Sequence, residues 1–494
     1  MAEIGVDGSE YMKEYCHSKA EYLSMLRRWR LEKGRLRTFI GLSSWIYAHD
    51  ATGGAIDLVK LHIEGFSHAL EQASRMRSSS DIRDGIERLR PRWDTRGQSV
   101  EARISGRWLV EPPIDDPAPA NVEGPTVISL FSGAMGLDLG YRAAGFDVRV
   151  ANDIDPWSHD TARLNLPDLA FIARDIDTVS TKELLDMASL KAGDVDVLLG
   201  GPPCQPFSPA GKRMGLSDPR ASPLRYFIRA VDEIRPRAFV MEEVPGILSS
   251  RLKNFPIAER GARRPTADEE RGSAWRVILQ MLQSTGYKMA YGILNAADFG
   301  APQSRERVIF IGLREGIPTL PSKTHSGLGV PGARPWNSFW EATADLDPRE
   351  GDYMQLTGQP ANFMRHVPPG GNWRALPAGM VRDAMGGALE SGGGKMGFYR
   401  RLAWDEPSPT VVTTPSQKGT MLVHPEYCRF LSVQEYARLQ GFPDSWRIGG
   451  SLADQYRLIG NAVPVHLSYA IARHTKKLLE GRAQSPDGGV FHFE

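Results

Sequence analysis

The sequence predicts an α/β fold: a mostly parallel sheet with helices on both faces, joined to a smaller irregular domain and preceded by a helical extension. Three observations carry this. From Thr126 onward, short apolar runs alternate with stretches of helical spacing, the pattern of a parallel sheet buried on both faces. The apolar run Val195 to Leu199 ends in Gly200-Gly201-Pro202-Pro203, which can continue neither as strand nor as helix. Beyond Arg314 the alternation dissolves into glycine, proline and scattered aromatics, among them Trp336, Trp340, Trp373 and Tyr399.

The elements follow in order. Residues 1–110 read as a helical extension, since Leu23, Leu26, Trp29, Leu36 and Phe39 recur at near-helical spacing and Ala55 to Met76 reads as a second helix. The interleaved Arg27, Arg28, Arg30, Lys33, Arg35 and Arg37 are either a DNA-binding face or, more commonly for such a run, the solvated side of a packing helix. Residues 111–124, EPPIDDPAPANVEG, have the composition of a linker. Within 125–314 the expected strands are Val127 to Phe131, Asp147 to Ala151, Leu169 to Ala173, Val195 to Leu199, Ala238 to Met241 and Val308 to Gly312, with a helix over Leu137 to Ala144 closed by Gly145. Residues 315–428 form the irregular domain. Residues 429–480 return to the first one, with helices at Ser432 to Leu439 and at Val465 to Leu479, where Pro464 suits a first helical position. Residues 481–494 are a tail.

Bulk properties narrow the class. The 494 residues carry a net charge of +1 and 41% hydrophobic residues, values of a globular protein with an ample core. No run of about 18 apolar residues suggests a membrane span, and no apolar segment near the amino terminus suggests secretion. Cys16, Cys204 and Cys428 are too few and too far apart for a disulfide framework or a zinc site. A cytoplasmic setting is expected, with no metal.

Cys204 stands out because the Gly-Gly-Pro-Pro turn presents it at the carboxyl edge of a sheet, where open α/β folds bind ligands. An isolated cysteine is usually a buried apolar filler. The stretch Pro203-Cys204-Gln205-Pro206-Phe207-Ser208, however, resembles the nucleophile loop of the DNA cytosine-5 methyltransferase family. Seven further stretches match in family order: Phe131 to Gly136, Asp153-Ile154-Asp155, Arg174-Asp175-Ile176, Glu242-Glu243-Val244, Gln303-Ser304-Arg305-Glu306-Arg307, Arg429 to Pro443, and Gln455 to Pro464. Together they span about Thr126 to Gly312 and Arg429 to the end.

The resemblance implies a Rossmann-like, S-adenosyl-L-methionine-dependent fold. A glycine turn followed about 20 residues later by a carboxylate is in itself only a weak nucleotide signal, and the G-x-G-x-x-G spacing of dinucleotide sites is absent. By resemblance, Phe131, Gly133, Gly136 and Leu137 cradle the methionine part of the cofactor. Asp153 takes the ribose hydroxyls, Ile154 packs on the adenine and Asp175 faces its amino group. Ile176, Pro203, Asn461 and Val463 complete the site. Met135 departs from the usual Gly-Gly pair, so its side chain must point away or narrow the site.

The same resemblance assigns the catalytic set. Cys204 is the nucleophile for carbon 6 of cytosine, Glu242 supports ring nitrogen 3, Arg307 contacts the cytosine carbonyl oxygen and Arg305 steadies the glutamate. Gln303, Arg305 and Arg307 alternate and so can share one face of a strand. Glu243 stands where the family has asparagine; two adjacent carboxylates would favour a protonated Glu242 if both faced inward. Gln205, Ser208, Lys212, Arg213 and Gln303 are the expected DNA contacts, the stretch Ser208 to Pro219 being the loop that closes over a flipped nucleotide.

The function implied is methylation of carbon 5 of a flipped cytosine in a specific duplex sequence. The setting is restriction-modification, with a cognate restriction endonuclease as a possible partner, a monomeric state and a nucleoid-associated location. Residues 315–428 would hold target recognition, where Arg365, Asn372, Arg374, Gln417 and Lys418 are candidate base contacts and Thr410 to Thr414 a turn near the flipped base. A transfer RNA methyltransferase of the same fold, and an inactive DNA-binding regulator, are the alternatives.

Overall fold

A computed structural model describes residues 123–203, 222–253, 255, 259, 262–328, 332–391, 395–482 and 491–493. The residues 1–110 extension and most of the 111–124 linker lie outside the described residues. So do Cys204, Gln205, Ser208, Lys212 and Arg213.

The central sheet has eight strands. They are β1 (Thr126–Leu130), β2 (Asp147–Asn152), β3 (Ala170–Ile172), β4 (Val197–Gly200), β5 (Ala238–Glu243), β6 (Lys288–Asn295), β8 (Glu306–Leu313) and β12 (Phe491–Phe493), in the order β12-β6-β8-β5-β4-β1-β2-β3. From β3 to β5 the strands are parallel; β8 runs antiparallel to both β5 and β6. Helices α1 (Gly136–Ala143), α2 (Pro156–Asn165), α3 (Thr181–Ala188), α4 (Ser222–Ile234) and α5 (Ser273–Gln283) fill the connections, with α10 (Leu452–Asn461) and α11 (Val465–Leu479) supplied late in the chain.

Period-two alternation divides the core into two layers. Ile128, Leu130, Phe239 and Met241 pack with Phe227 of α4 and Ile278 of α5 on one face. Val127, Val197, Ala238 and Val240 pack with Leu467 and Ile471 of α11 on the other. Continuing that alternation past Met241 sends Glu242 to the second face and Glu243 to the first.

The expected strands are present with ends shifted by one or two residues, as hydrogen-bond boundaries commonly are. Pro464 precedes α11 as its cap, one position before the first helical residue. Strand β6 and helix α10 were not expected: Gly292 interrupts the apolar pattern of β6, and α10 is short and polar on its outer side.

Two short pairings complete the larger compact unit, which comprises 109–338, 407–414 and 432–494. β7 (Gln303–Ser304) pairs with β11 (Ser408–Pro409), and β9 (His325–Ser326) with β10 (Arg334–Pro335). The described part of the smaller unit is 339–406 and 415–431. It contains α6 (Phe339–Thr343), α7 (Gly358–Met364) and α8 (Ala378–Met385) around Phe363, Met364, Met385, Tyr399 and Phe430. Buried Arg401 organises its loops by donating to the carbonyls of Met364, His424, Glu426 and Tyr427. The first helix of the returning segment, α9 (Val433–Leu439), starts at a Ser432–Glu435 capping box.

Candidate active site

The turn from β1 into α1 is held in an unusual conformation. Phe131, Gly133 and Met135 all have positive φ, at 60°, 54° and 67°. Two of the three are not glycine, a backbone cost of about 1–2 kcal/mol each that the surroundings must impose. Ser132 N–H donates to Asn152 O at 3.0 Å and Met135 N–H to Ser132 O at 2.7 Å. Gly133 N–H donates to Asp153 Oδ2 at 2.8 Å. The Met135 side chain is wholly buried, so it faces the interior and does not narrow the site.

The carboxyl end of β2 supplies the next residues. Asp153 Oδ1 accepts from Asp155 N–H at 2.8 Å, which fixes the carboxylate from both sides. Burial pushes the Asp153 carboxyl up from the ordinary aspartate range, opposed by its two backbone hydrogen bonds. Ile154 is 64% exposed, an apolar side chain displayed beside that carboxylate. Buried Asn152 donates to Ile172 O and Arg174 O, tying β2 to the end of β3 and so placing exposed Asp175 and buried Ile176.

Gly136 links this turn to the returning chain. A Cβ on Gly136 would lie 2.3 Å from Val463 O, so only glycine permits this approach. Exposed Asn461 ends α10 just before it. At Gly133 a Cβ would meet nothing within 4 Å, leaving open space bounded by Asp153. Phe131 is partly exposed at the same turn and Leu137 is buried beneath it.

The catalytic side lies one strand further along the sheet. Gly200 of β4 is in register with Met241 of β5, which brings Glu242 beside Gly201: a Cβ there would lie 3.0 Å from Glu242 Oε2. Arg307 enters from β8, and its Nε meets Glu242 Oε1 at 2.6 Å, both side chains being 12% exposed. Exposed Pro203 is the last described residue before Cys204. The pair therefore sits beside Gly201, close to the end of the described residues that precede Cys204.

Two expectations are corrected. Gln303 is fully buried: its Nε2 donates to Leu439 O and Gln440 Oε1, and its Oε1 accepts from Val411 N–H. With its amide occupied in the interior, it is not a DNA contact. Arg305 does not grip Glu242; its guanidinium donates to Val411 O at 2.8 Å and Gly460 O at 2.9 Å, and burial pushes its pKa well down. Arg307 is the residue that holds the glutamate. The two arginines separate because β7 ends at Ser304 and β8 begins at Glu306, which leaves Arg305 at the break.

The condition set for the adjacent carboxylates, that both face inward, is not met. Glu243, not Glu242, is the buried one, and burial together with the Glu242 charge pushes its pKa well above 4.5. Strand alternation places the two on opposite faces, so Glu243 cannot supply Glu242 with a proton directly. In the smaller unit Arg365, Arg374, Gln417 and Lys418 are exposed, whereas Asn372 is partly buried and accepts from Arg374 N–H. Thr410 Oγ1 donates to Ser304 O within the larger unit.

The family model for C-5 cytosine-specific DNA methylases matches residues 125–477, most of the chain and all of the site just described. The chain belongs to this family. Among relatives of the methylase, it is 37% identical over 360 residues to the Type II methyltransferase M.PspPI of a Psychrobacter strain, covering 72% of this chain and 79% of the relative. It is 35% identical to M.Sau96I of Staphylococcus aureus, covering 70% and 74%, and 35% identical to M.Eco47II of Escherichia coli, covering 72% and 79%. The methylase transfers a methyl group from S-adenosyl-L-methionine to carbon 5 of cytosine in DNA.

The residues present fit that cofactor: the opening at Gly133, a fixed carboxylate for a diol and an exposed isoleucine for an adenine are adjacent. Among the described residues no cluster of three or more His, Cys, Asp or Glu could hold a metal ion, and no helix is long and apolar enough to cross a membrane. Sequence reasoning missed Asn152, Asp155 and Arg457. The signal for Asp155 was its place before Pro156, an N-cap followed by proline at the first helical position.

Proposed function

We propose that the methylase acts through Cys204 as nucleophile, with Glu242 and Arg307 as the groups that manage charge on the cytosine ring. The observation that carries this reading is the Arg307–Glu242 ion pair lying against Gly201, three residues before Cys204. S-adenosyl-L-methionine supplies an electrophilic methyl group on a sulfonium. The Cys204 thiolate adds to carbon 6 of the flipped base, and carbon 5 becomes enamine-like and nucleophilic. Glu242 holds a proton or strong hydrogen bond at ring nitrogen 3 as negative charge develops there, while Arg307 fixes the carboxylate and faces the cytosine carbonyl oxygen. Carbon 5 takes the methyl group with S-adenosyl-L-homocysteine as the leaving group; it then gives its proton to solvent as the carbon 6–sulfur bond breaks, which restores the aromatic ring and frees Cys204 as the thiolate.

Phe131, Gly133, Gly136, Leu137, Asp153, Ile154, Asp175, Ile176, Pro203, Asn461 and Val463 form the cofactor side of this reading, with Asp153 on the ribose hydroxyls. Gln205, Ser208, Lys212 and Arg213 are proposed DNA contacts on the closing loop. The smaller unit, with exposed Arg365, Arg374, Gln417 and Lys418, is the proposed reader of the target sequence. The relatives' designation as Type II methyltransferases supports a restriction-modification setting; a cognate endonuclease, a monomeric enzyme and a cytoplasmic, nucleoid-associated location complete the proposal.

Bisulfite sequencing of host DNA tests this. In a host lacking cytosine methylation, expression should protect cytosines within one short sequence, and Cys204→Ser should abolish the protection. Protection that survives the substitution would refute the role of Cys204.

A further inference from the structure

Helix α10 reaches the cofactor side of the site at two places, and only one is accounted for by Asn461 and Val463. One turn before Asn461 stands Arg457, at the i,i+4 spacing that puts both on the same side of the helix. Its guanidinium joins two carboxylates: Nη1 meets Asp155 Oδ2, and Nη2 meets Asp454 Oδ1 at 2.9 Å. Asp155 is 302 positions away in sequence and belongs to the turn after β2.

From Asp155 a continuous set of bonds runs into the opening at Gly133. The Asp155 side chain caps α2 by accepting from Trp157 N–H at 3.0 Å, and its own N–H donates to Asp153 Oδ1 at 2.8 Å. Asp153 Oδ2 in turn accepts from Gly133 N–H at 2.8 Å. Asp153 and Asp155 are like charges two residues apart, and Asp155 raises the Asp153 carboxyl while Arg457 lowers it. Without the arginine, Asp155 would lose its partner from α10 and the turn that carries Asp153 would be less fixed.

Arg457 is not needed to hold α10 in place. The loop before the helix is pinned to α2 separately: Asn165 Nδ2 donates to Arg447 O at 2.7 Å and Arg447 N–H to Asn165 Oδ1 at 2.9 Å, while Gly449 N–H donates to Thr161 Oγ1 at 3.0 Å. Trp157 packs against Gly450, where a Cβ would come within 3.0 Å of the indole. The Arg457 side chain is itself 38% exposed. A neutral residue there leaves these ties intact.

We propose that Arg457 is a positioning residue for cofactor binding, acting through Asp155 to hold the Asp153 carboxylate aimed at the opening beside Gly133. This rests on Asp153 being a cofactor ligand. The test uses full-length enzyme and S-adenosyl-L-homocysteine as the probe, with binding measured by calorimetry without DNA. Arg457→Gln should weaken binding by about tenfold or more, and Arg457→Lys should recover most of the loss. Asp155→Asn, which keeps the helix cap, should weaken binding similarly, and the Arg457→Gln/Asp155→Asn double variant should lose little more than either single one. In ligand-free protein, hydrogen exchange of the Asp155 and Trp157 amides should accelerate in Arg457→Gln. With DNA, KM for S-adenosyl-L-methionine should rise while kcat stays within about twofold.

Probe affinity of Arg457→Gln within twofold of the parent, or additive losses in the double variant, would overturn the proposal. So would unchanged exchange at Asp155 and Trp157. Failure of the reading beneath it is separate: Asp153→Asn would then bind the probe as tightly as the parent.

Discussion

Replacing Glu243 by glutamine should stabilise the protein at neutral pH, and the gain should depend on pH in a defined direction. The carboxyl is 2% exposed; Oε2 accepts from Val244 N–H at 3.2 Å, and Oε1 has no hydrogen-bond partner among the described residues. Burial is the largest cause raising its pKa well above 4.5, followed by the neighbouring Glu242 charge. As pH rises past 4.5 the unfolded chain releases this proton while the folded protein keeps it. The folded state then binds more protons, so stability falls by about 1.4 kcal/mol per pH unit until the folded carboxyl also ionises. Glutamine has the same shape, accepts from Val244 N–H and does not ionise. Its unpartnered amide replaces an unpartnered hydroxyl, so the desolvation costs nearly cancel. Urea denaturation of parent and Glu243→Gln at pH 5, 6, 7 and 8 should give a difference that is smallest at pH 5 and grows by about 1.4 kcal/mol per pH unit until the folded carboxyl ionises. A difference that is constant with pH, or a variant less stable at pH 8 than at pH 5 relative to the parent, would refute the assignment of a neutral Glu243.

Gly133→Ala should lower stability by only about 1 kcal/mol, because its φ is +54° and the space is open, yet it should abolish the thermal shift produced by S-adenosyl-L-homocysteine. Gly136→Ala should lower the melting temperature further, since its Cβ would meet the Val463 carbonyl at 2.3 Å even without ligand. Glu242→Gln and Arg307→Ala should each reduce kcat by about a hundredfold or more while leaving S-adenosyl-L-homocysteine affinity within twofold, measured by single-turnover methylation and calorimetry. Arg305→Met should instead cost about 3 kcal/mol or more of stability, read as loss of soluble protein or a lower urea midpoint, because Val411 O and Gly460 O lose their donor. Gln303→Ala should destabilise by about 1–3 kcal/mol without changing which cytosines are methylated in bisulfite reads.

Much of the fold was legible because its signals are local. Alternation of apolar runs with helical spacing gave the parallel strands, and a run ending in Gly-Gly-Pro-Pro has few conformations open to it. Strand β6 was hidden by a glycine within its apolar pattern, and α10 by its short, polar surface. The roles of Gln303 and Arg305 were misassigned for a related reason. A regular strand would have aimed all three one way, but the break between Ser304 and Glu306 divides them between the interior and the cleft.

The sequence by itself determined the order of the parallel strands along the chain and the family, since each depends on residues within a few positions of one another. Only the tertiary structure decided that Arg307 is the partner of Glu242, that Glu243 faces the opposite layer, and that Arg457 reaches Asp155 across 302 positions. Such pairings are fixed by which strands lie side by side and which late helix packs under the first turn. Charge and hydrogen-bond partners follow distance in space, on which residue spacing along the chain places almost no constraint.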